Sequence, residues 1–187
     1  MRVFLAIPIA EPNRQALNVL QEEAGAGLTG AKVAWVRNEG LHLTLNFFGE
    51  IDDGLVDAIH AAVNAVLPGK PPFELQLAGI GAFPNLKNPR VIWCGVLPQK
   101  KLIELHRALG DRFRNDDLPW EKRPLSPHIT IGRVRFQKFE GAVMGVLEPH
   151  AAASFGGFTA DRLVLYRSHL QPGGSVYEEL WSERLPG

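Results

Sequence analysis

Apolar and polar positions change period several times along this chain, and each change marks an element. Residues 2–9 are apolar almost without interruption and read as a buried strand. Pro12 stands where a helix can begin. Leu17, Leu20 and Ala24 continue a helical stripe that ends near Gly25 or Gly27. A short strand is predicted at 33–36. Residues 41–49 alternate: Leu41, Leu43, Leu45 and Phe47 fall on one face, His42, Thr44, Asn46 and Phe48 on the other. Asp52 or Asp53 then caps a helix carrying Leu55, Ile59, Ala62, Val63 and Val66, which Pro68-Gly69 ends. Strands are predicted at 73–80 and 90–97 around a loop at 81–89, and a helix at 99–114. A further strand starts near 127, followed by a helix near 138–148 and strands near 154–166 and 175–182. Gln171-Pro172-Gly173-Gly174 is the turn signal between the last two elements.

The pattern repeats weakly. His42-x-Thr44 recurs as His128-x-Thr130, 86 residues later, each time on a strand followed by a helix and another strand. Two similar halves could set the motifs side by side about a pseudo-two-fold axis. On a strand, period two puts His and Thr on one face roughly 7 Å apart. Histidine titrates near neutral pH, and a threonine hydroxyl can donate to an oxyanion. Apolar residues on the opposite face fix the register, so the polar face must look into a cleft or solvent. Two imidazoles and two hydroxyls suit in-line displacement at phosphorus. One neutral His takes a proton from water, the other gives one to the departing oxygen, and the hydroxyls hold the non-bridging oxygens. The two motifs look chemically equivalent, so spacing alone assigns neither role.

Composition narrows the substrate. The chain has 187 residues, 45% hydrophobic and 21% charged, with 20 basic and 20 acidic side chains and a formal net charge of zero. One two-lobed domain over 1–187 is expected. A chain without net charge exerts no overall pull on phosphate, so any nucleic-acid site is a local basic patch; this weakens a long, non-specific binder and permits an enzyme acting at a strand end. Cys94, the one cysteine, lies in an apolar run and reads as a buried core residue; no Cys cluster offers a zinc site. No stretch is long enough to span a membrane, and the N-terminal apolar run is too short for a signal segment. A cytoplasmic monomer without metal or cofactor is expected.

Leu41-His42-Leu43-Thr44-Leu45-Asn46-Phe47-Phe48-Gly49-Glu50 and Pro127-His128-Ile129-Thr130-Ile131-Gly132-Arg133 resemble the paired motifs of the two-histidine (2H) phosphoesterases. The branch they resemble is that of the bacterial RNA 2′,3′-cyclic phosphodiesterases, also called 2′-5′ RNA ligases. Arg2-Val3-Phe4-Leu5-Ala6, Pro89-Arg90-Val91-Ile92-Trp93-Cys94-Gly95-Val96 and Leu165-Tyr166-Arg167-Ser168-His169-Leu170, with Gly173 and Tyr177, are further matches to that branch. The resemblance implies a bilobal α+β fold with two antiparallel sheets facing a central cleft and helices outside. It implies metal-independent hydrolysis of a terminal 2′,3′-cyclic phosphate of RNA, or of a nucleoside cyclic phosphate, to a 2′-phosphate. It also implies that His42 is the proton donor and His128 the acceptor.

Phe48, sharing a face with His42, is a candidate for stacking on a nucleobase, with packing in the core an equal alternative. Arg133 occupies the family's basic position after the second motif, but strict alternation turns it away from His128 unless a bulge intervenes. Arg135, Lys138 and Arg167 are candidates for RNA-backbone contacts, with solvated surface the safer reading of each. His106 reads as a partly packed helix residue, His60 as the edge of a helical stripe, His150 as a helix end and His169 as a strand residue near a turn, with a place at the cleft border its alternative. Gly79-Ile80-Gly81 and Pro172-Gly173-Gly174 read as turns. The competing functions are a ligase using the same cleft, a non-catalytic RNA-end binding module and a metal protein. The last is weakened because neither His-x-Thr pair has a carboxylate or third His within it or directly beside it.

Overall fold

A computed structural model describes residues 1–171 and 174–186. In chain order they form β1 (Arg2–Pro8), α1 (Glu11–Gly27), β2 (Ala31–Trp35), β3 (His42–Glu50), α2 (Leu55–Val66), β4 (Phe73–Phe83) and β5 (Val91–Leu97). There follow α3 (Lys100–Asn115), β6 (His128–Gln137), the single turn α4 (Met144–Leu147), β7 (Ser154–Ala160), β8 (Arg162–Gln171) and β9 (Gly174–Arg184). Short 3-10 segments lie at Asn38–Gly40 and Glu148–His150. None of the described helices is long and apolar enough to cross a membrane.

The strands run in the order β7-β4-β5-β6-β3-β1-β8-β9, with β2 against the far end of β6, and every pairing is antiparallel. The sheet divides naturally at β3 and β6, which share one paired position, Leu43 opposite Ile129. On one side lies a lobe of β3, β1, β8 and β9, and on the other a lobe of β6, β2, β5, β4 and β7. The expected two antiparallel sheets are thus the halves of one curled sheet, joined along the two motif strands.

One face of the sheet carries the core. Val3, Leu5, Ile7, Leu43, Ile92, Cys94, Ile129 and Ile131 are buried there with Leu17 and Leu20 of α1, Ile59 of α2 and Leu105 and Leu109 of α3. Burying each such side chain is worth about 1.5–3 kcal/mol, so the helices cover this face and leave the other to the site.

Several boundaries differ from the pattern. The segment 154–166 is two strands. Exposed Asp161 separates β7, which pairs with β4, from β8, which pairs with β1, so the chain crosses between lobes there. The helix predicted at 138–148 shrinks to α4, because Gly141 has φ +81° and turns precede it. Gly79-Ile80-Gly81 is not a turn but lies inside β4. Gly79, at φ +77°, sits where the register slips, and a Cβ on it would meet the Ala151 carbonyl oxygen at 2.9 Å. α2 has Gly54 as its cap and no side-chain cap bond. The backbone carbonyls of Asp52 and Asp53 accept from Leu55 and Val56 instead. In the last hairpin Gln171 pairs with Gly174, as the turn signal requires; Pro172 and Gly173 lie outside the described residues.

Candidate active site

The antiparallel pairing of Leu43 with Ile129 sets the neighbouring residues. It places His42 opposite Thr130 and Thr44 opposite His128. Leu43 and Ile129 are both fully buried on the core face, so all four motif side chains project from the other face. Directly opposed side chains have Cβ atoms about 5 Å apart and diagonal ones about 7 Å. The two histidines occupy one diagonal of this quartet and the two threonines the other, an arrangement with the two-fold character expected from the repeat. A tetrahedral anion at its centre would meet an imidazole on either side.

Each histidine packs against aromatic side chains of its own lobe, His42 among three rings and His128 beside one. His42 stacks on Phe4 with centroids 4.6 Å apart, meets Tyr177 edge-on at 5.1 Å and lies 6.0 Å from Tyr166. Phe4 is only 2% exposed yet lies outside the main core, forming the floor beneath His42. Burial in this apolar setting depresses the imidazole to about 4, while the Gly40 carbonyl favours the charged form. His128 meets Phe83 edge-on at 5.0 Å, and its Nδ1 bonds the Ser126 carbonyl at 2.6 Å. That contact calls for a proton on Nδ1 and leaves Nε2 free for the cleft. Its pKa is also lowered, chiefly by burial, opposed by the Ser126 carbonyl and assisted by the Arg133 charge. In both motifs the supporting carbonyl lies two residues before the histidine.

The alternation breaks after each threonine, in the same way. Thr44 pairs with Ala6 but Asn46 with Leu5, leaving Leu45 as an extra residue; Thr130 pairs with Trp93 but Gly132 with Ile92, leaving Ile131 as the extra residue. Leu45 and Asn46 are therefore both buried, as are Ile131 and Gly132, and the next residues, Phe47 and Arg133, emerge on the cleft side. The bulge that Arg133 requires is present. Phe48 is corrected by the same observation. It is 6% exposed, belongs to the main core and packs edge-on against Phe113 at 5.3 Å, so it is not available to a base. Phe47, 51% exposed and 5.5 Å from Phe4, takes the cleft position instead. Sequence reasoning missed Phe47, although it stands five residues after His42 just as Arg133 stands five after His128.

Buried amides pin both bulges. Asn46, 1% exposed, accepts from the Glu121 backbone at 2.9 Å and so tethers the loop that leads into His128. Gln21 of α1 donates to the carbonyls of Val36 (2.9 Å) and Ile131 (2.8 Å). Gly132 is needed at the second bulge, because a Cβ there would lie 2.8 Å from Trp35 and 2.9 Å from Val33. Gly132→Val is expected to cost about 1–3 kcal/mol by overpacking. It should also slow turnover by displacing Arg133 and His128. Urea unfolding and steady-state rates check both effects.

The remaining histidines stand apart. His60 stacks on Trp181 at 4.7 Å and contacts Glu183 at 2.6 Å; His169 contacts Glu178 at 2.7 Å. His106 is more buried than its pattern implied, 8% exposed against Trp120. His150 ends the 3-10 segment before β7. Cys94 is buried and free, and burial pushes its thiol up to about 12, consistent with an inert core residue. Among the described residues no three His, Cys, Asp or Glu side chains gather as metal ligands.

Comparison with known proteins finds relatives over nearly the whole chain. A family model described as LigT-like phosphoesterase matches residues 7–93 and 96–177. An RNA 2′,3′-cyclic phosphodiesterase of Methanocaldococcus jannaschii is 34% identical over 178 residues, which cover 95% of this chain and 97% of the relative. One of Methanothermobacter thermautotrophicus is 31% identical over 185 residues, 99% of each chain. A crystal structure of a Thermus thermophilus protein matches with a TM-score of 0.79 and 28% identity, over 99% of this chain and 98% of the other. Escherichia coli LigT, crystallised with 3′-AMP, shares the fold at a TM-score of 0.77 and 24% identity, over 100% and 98%. With both motif strands inside the matched family model and relatives of this similarity over nearly its whole length, the chain belongs to the LigT-like phosphoesterase family.

Proposed function

We propose that this chain hydrolyses a terminal 2′,3′-cyclic phosphate of RNA to a 2′-phosphomonoester, using His42 as acid and His128 as base without a metal. The observation that carries this reading is the Leu43–Ile129 pairing, whose register gathers the two histidines and two threonines on one face. The names of the relatives supply the substrate class, and the resemblance supplies the direction of proton transfer. The Nε2 of His128 takes a proton from water as its oxygen attacks phosphorus. The bond from phosphorus to the ribose 3′ oxygen breaks, and His42 protonates that oxygen. The phosphoryl group stays on the 2′ oxygen. Thr44 and Thr130 donate to the non-bridging oxygens, Arg133 adds positive charge at the cleft and Phe47 offers a face to the base.

Burial leaves His42 neutral in the free protein at pH 7, at odds with a resting acid. The anionic substrate resolves this, because a phosphate beside the ring favours its charged form. The proton therefore arrives with or after the substrate. A short RNA bearing a 2′,3′-cyclic phosphate, incubated in EDTA, should yield only the 2′-phosphate. Loss of activity in EDTA with recovery on adding a divalent ion would remove the metal-independent mechanism, and a 3′-phosphate product would remove the stated bond cleavage.

A further inference from the structure

The charge-neutral chain is locally uneven. Lys32, Lys87, Arg90, Arg133, Arg135 and Lys138 are all exposed, and they come from three separate segments of the second lobe. Residues 31–35, 84–90 and 128–139 contain no Asp or Glu. Among the described residues, none of the six cations is ion-paired to a carboxylate.

The segments are fastened into one surface. β2 pairs with β6 from Ala31 opposite Gln137 to Trp35 opposite Gly132. The Arg90 carbonyl accepts from the Val134 amide at 3.0 Å. The Gln137 side chain donates to the Lys87 carbonyl at 3.0 Å and to Asn88 at 2.9 Å. Another slip in the β2–β6 register leaves Arg135 and Phe136 both outward.

Aromatic rings lie among these charges. Phe136 is 58% and Phe139 56% exposed, unusual for phenylalanine on a folded surface. The surface is continuous with the active site. Phe83 touches His128 with its ring, while its carbonyl accepts from the Arg90 amide at 2.7 Å. Arg133 lies close enough to His128 to act on its charge. The outer hairpin of the other lobe instead exposes Glu178 and Glu179, which repel a phosphate chain.

The geometry points to a binding track for single-stranded RNA, along which the nucleotides 5′ of the reacting terminal ribose leave the cleft over β6 and β2. The inference rests on the proposed hydrolysis for its substrate class. Cations meet the phosphates and exposed rings meet bases of any identity, the combination by which single strands are held without sequence preference. The phosphate track lies on one lobe, so it also fixes the direction in which the strand enters. Arg135, Lys138 and Phe136 act on strand length and leave the chemical step alone.

Binding of a labelled RNA of about eight nucleotides, a length within the usual single-strand site sizes, is to be measured by anisotropy across a salt series. The proteins compared are wild type, an Arg135→Glu/Lys138→Glu double variant and Phe136→Ala. Turnover of a nucleoside 2′,3′-cyclic phosphate is measured beside it. The double variant should bind RNA about 10-fold or more weakly, with a salt slope reduced by about 0.7 for each phosphate that is no longer neutralised. Phe136→Ala should weaken binding with its salt slope unchanged, and mononucleotide turnover should stay at the wild-type rate in both. Unchanged RNA affinity in the double variant would overturn the track. Competition by polyglutamate as effective as by RNA would also overturn it, because the surface would then suit an acidic protein. RNA binding that follows the variants in a protein that hydrolyses neither substrate would keep the track and remove the proposed reaction.

Discussion

His42→Ala and His128→Ala are each expected to lower turnover by about 10²–10⁴, the range for a positioned proton-transfer group. The double variant should be hardly slower than the worse single one. Once one imidazole is gone the other has no partner step to complete, and residues acting as a unit are far from additive. Thr44→Ala and Thr130→Ala should cost less, about 10–10³, as loss of an oxyanion donor does. Structural damage is separable. His128 sits at the cleft against Phe83, and its loss leaves the core face intact. His42 covers Phe4, so His42→Asn should accompany the alanine variant as a check on packing. Steady-state rates with circular dichroism on each protein decide the matter. Near-full activity in either histidine variant would remove the two-histidine mechanism.

Acid is expected to act on this protein through His42 in two ways. Its folded-state pKa is about 4, against roughly 6.5 for an unperturbed imidazole in the unfolded chain. Between those values the unfolded state holds a proton that the folded state refuses, so unfolding becomes easier as pH falls. The full shift corresponds to about 3 kcal/mol. That stability is present above about pH 6.5 and lost on descending to about pH 4, below which both states are protonated and the loss stops. Urea unfolding of wild type and His42→Asn at both ends of the window isolates the effect, since other titrating groups are common to both. The wild type should lose more stability, and equal losses would contradict the buried neutral imidazole. Activity should follow the same groups. The profile of kcat/KM, which reports the free protein, should be a bell centred on the acid side of about 6.5, because both imidazoles are depressed. The kcat profile should lie higher, because the bound phosphate raises the pKa of the acid. Coincident profiles would count against substrate-driven protonation.

How far the sequence reaches is visible at the two motif strands. The alternation from Leu41 to Thr44 and from His128 to Thr130 is obeyed, since a buried face tolerates no slip in register. Beyond the two threonines the same rule misleads. Alternation puts Phe48 in the cleft and turns Arg133 away, and both assignments are reversed by a bulge whose cause lies elsewhere in the chain. Gln21 holds the carbonyl of Ile131, and Asn46 holds the loop at Glu121. Such long-range amide bonds leave no local period to read. The aromatic surroundings of His42 come from β1, β8 and β9, so they too are set by strand order. The split at Asp161 was hidden because β7 and β8 follow each other directly while pairing in different lobes. Helices α1, α2 and α3 were legible because each carries a long apolar stripe, whereas α4 is too short for periodicity to show.

The claim that one phosphate is held between histidines of the two lobes can be tested without turnover, by following the imidazole proton resonances of His42 and His128 during titration with a nucleoside 2′-phosphate. Both sets of signals should shift with one dissociation constant, and both pKa values should rise when the ligand is bound. A ligand that moves the signals of one histidine alone, or of the two with different affinities, would contradict a shared phosphate site.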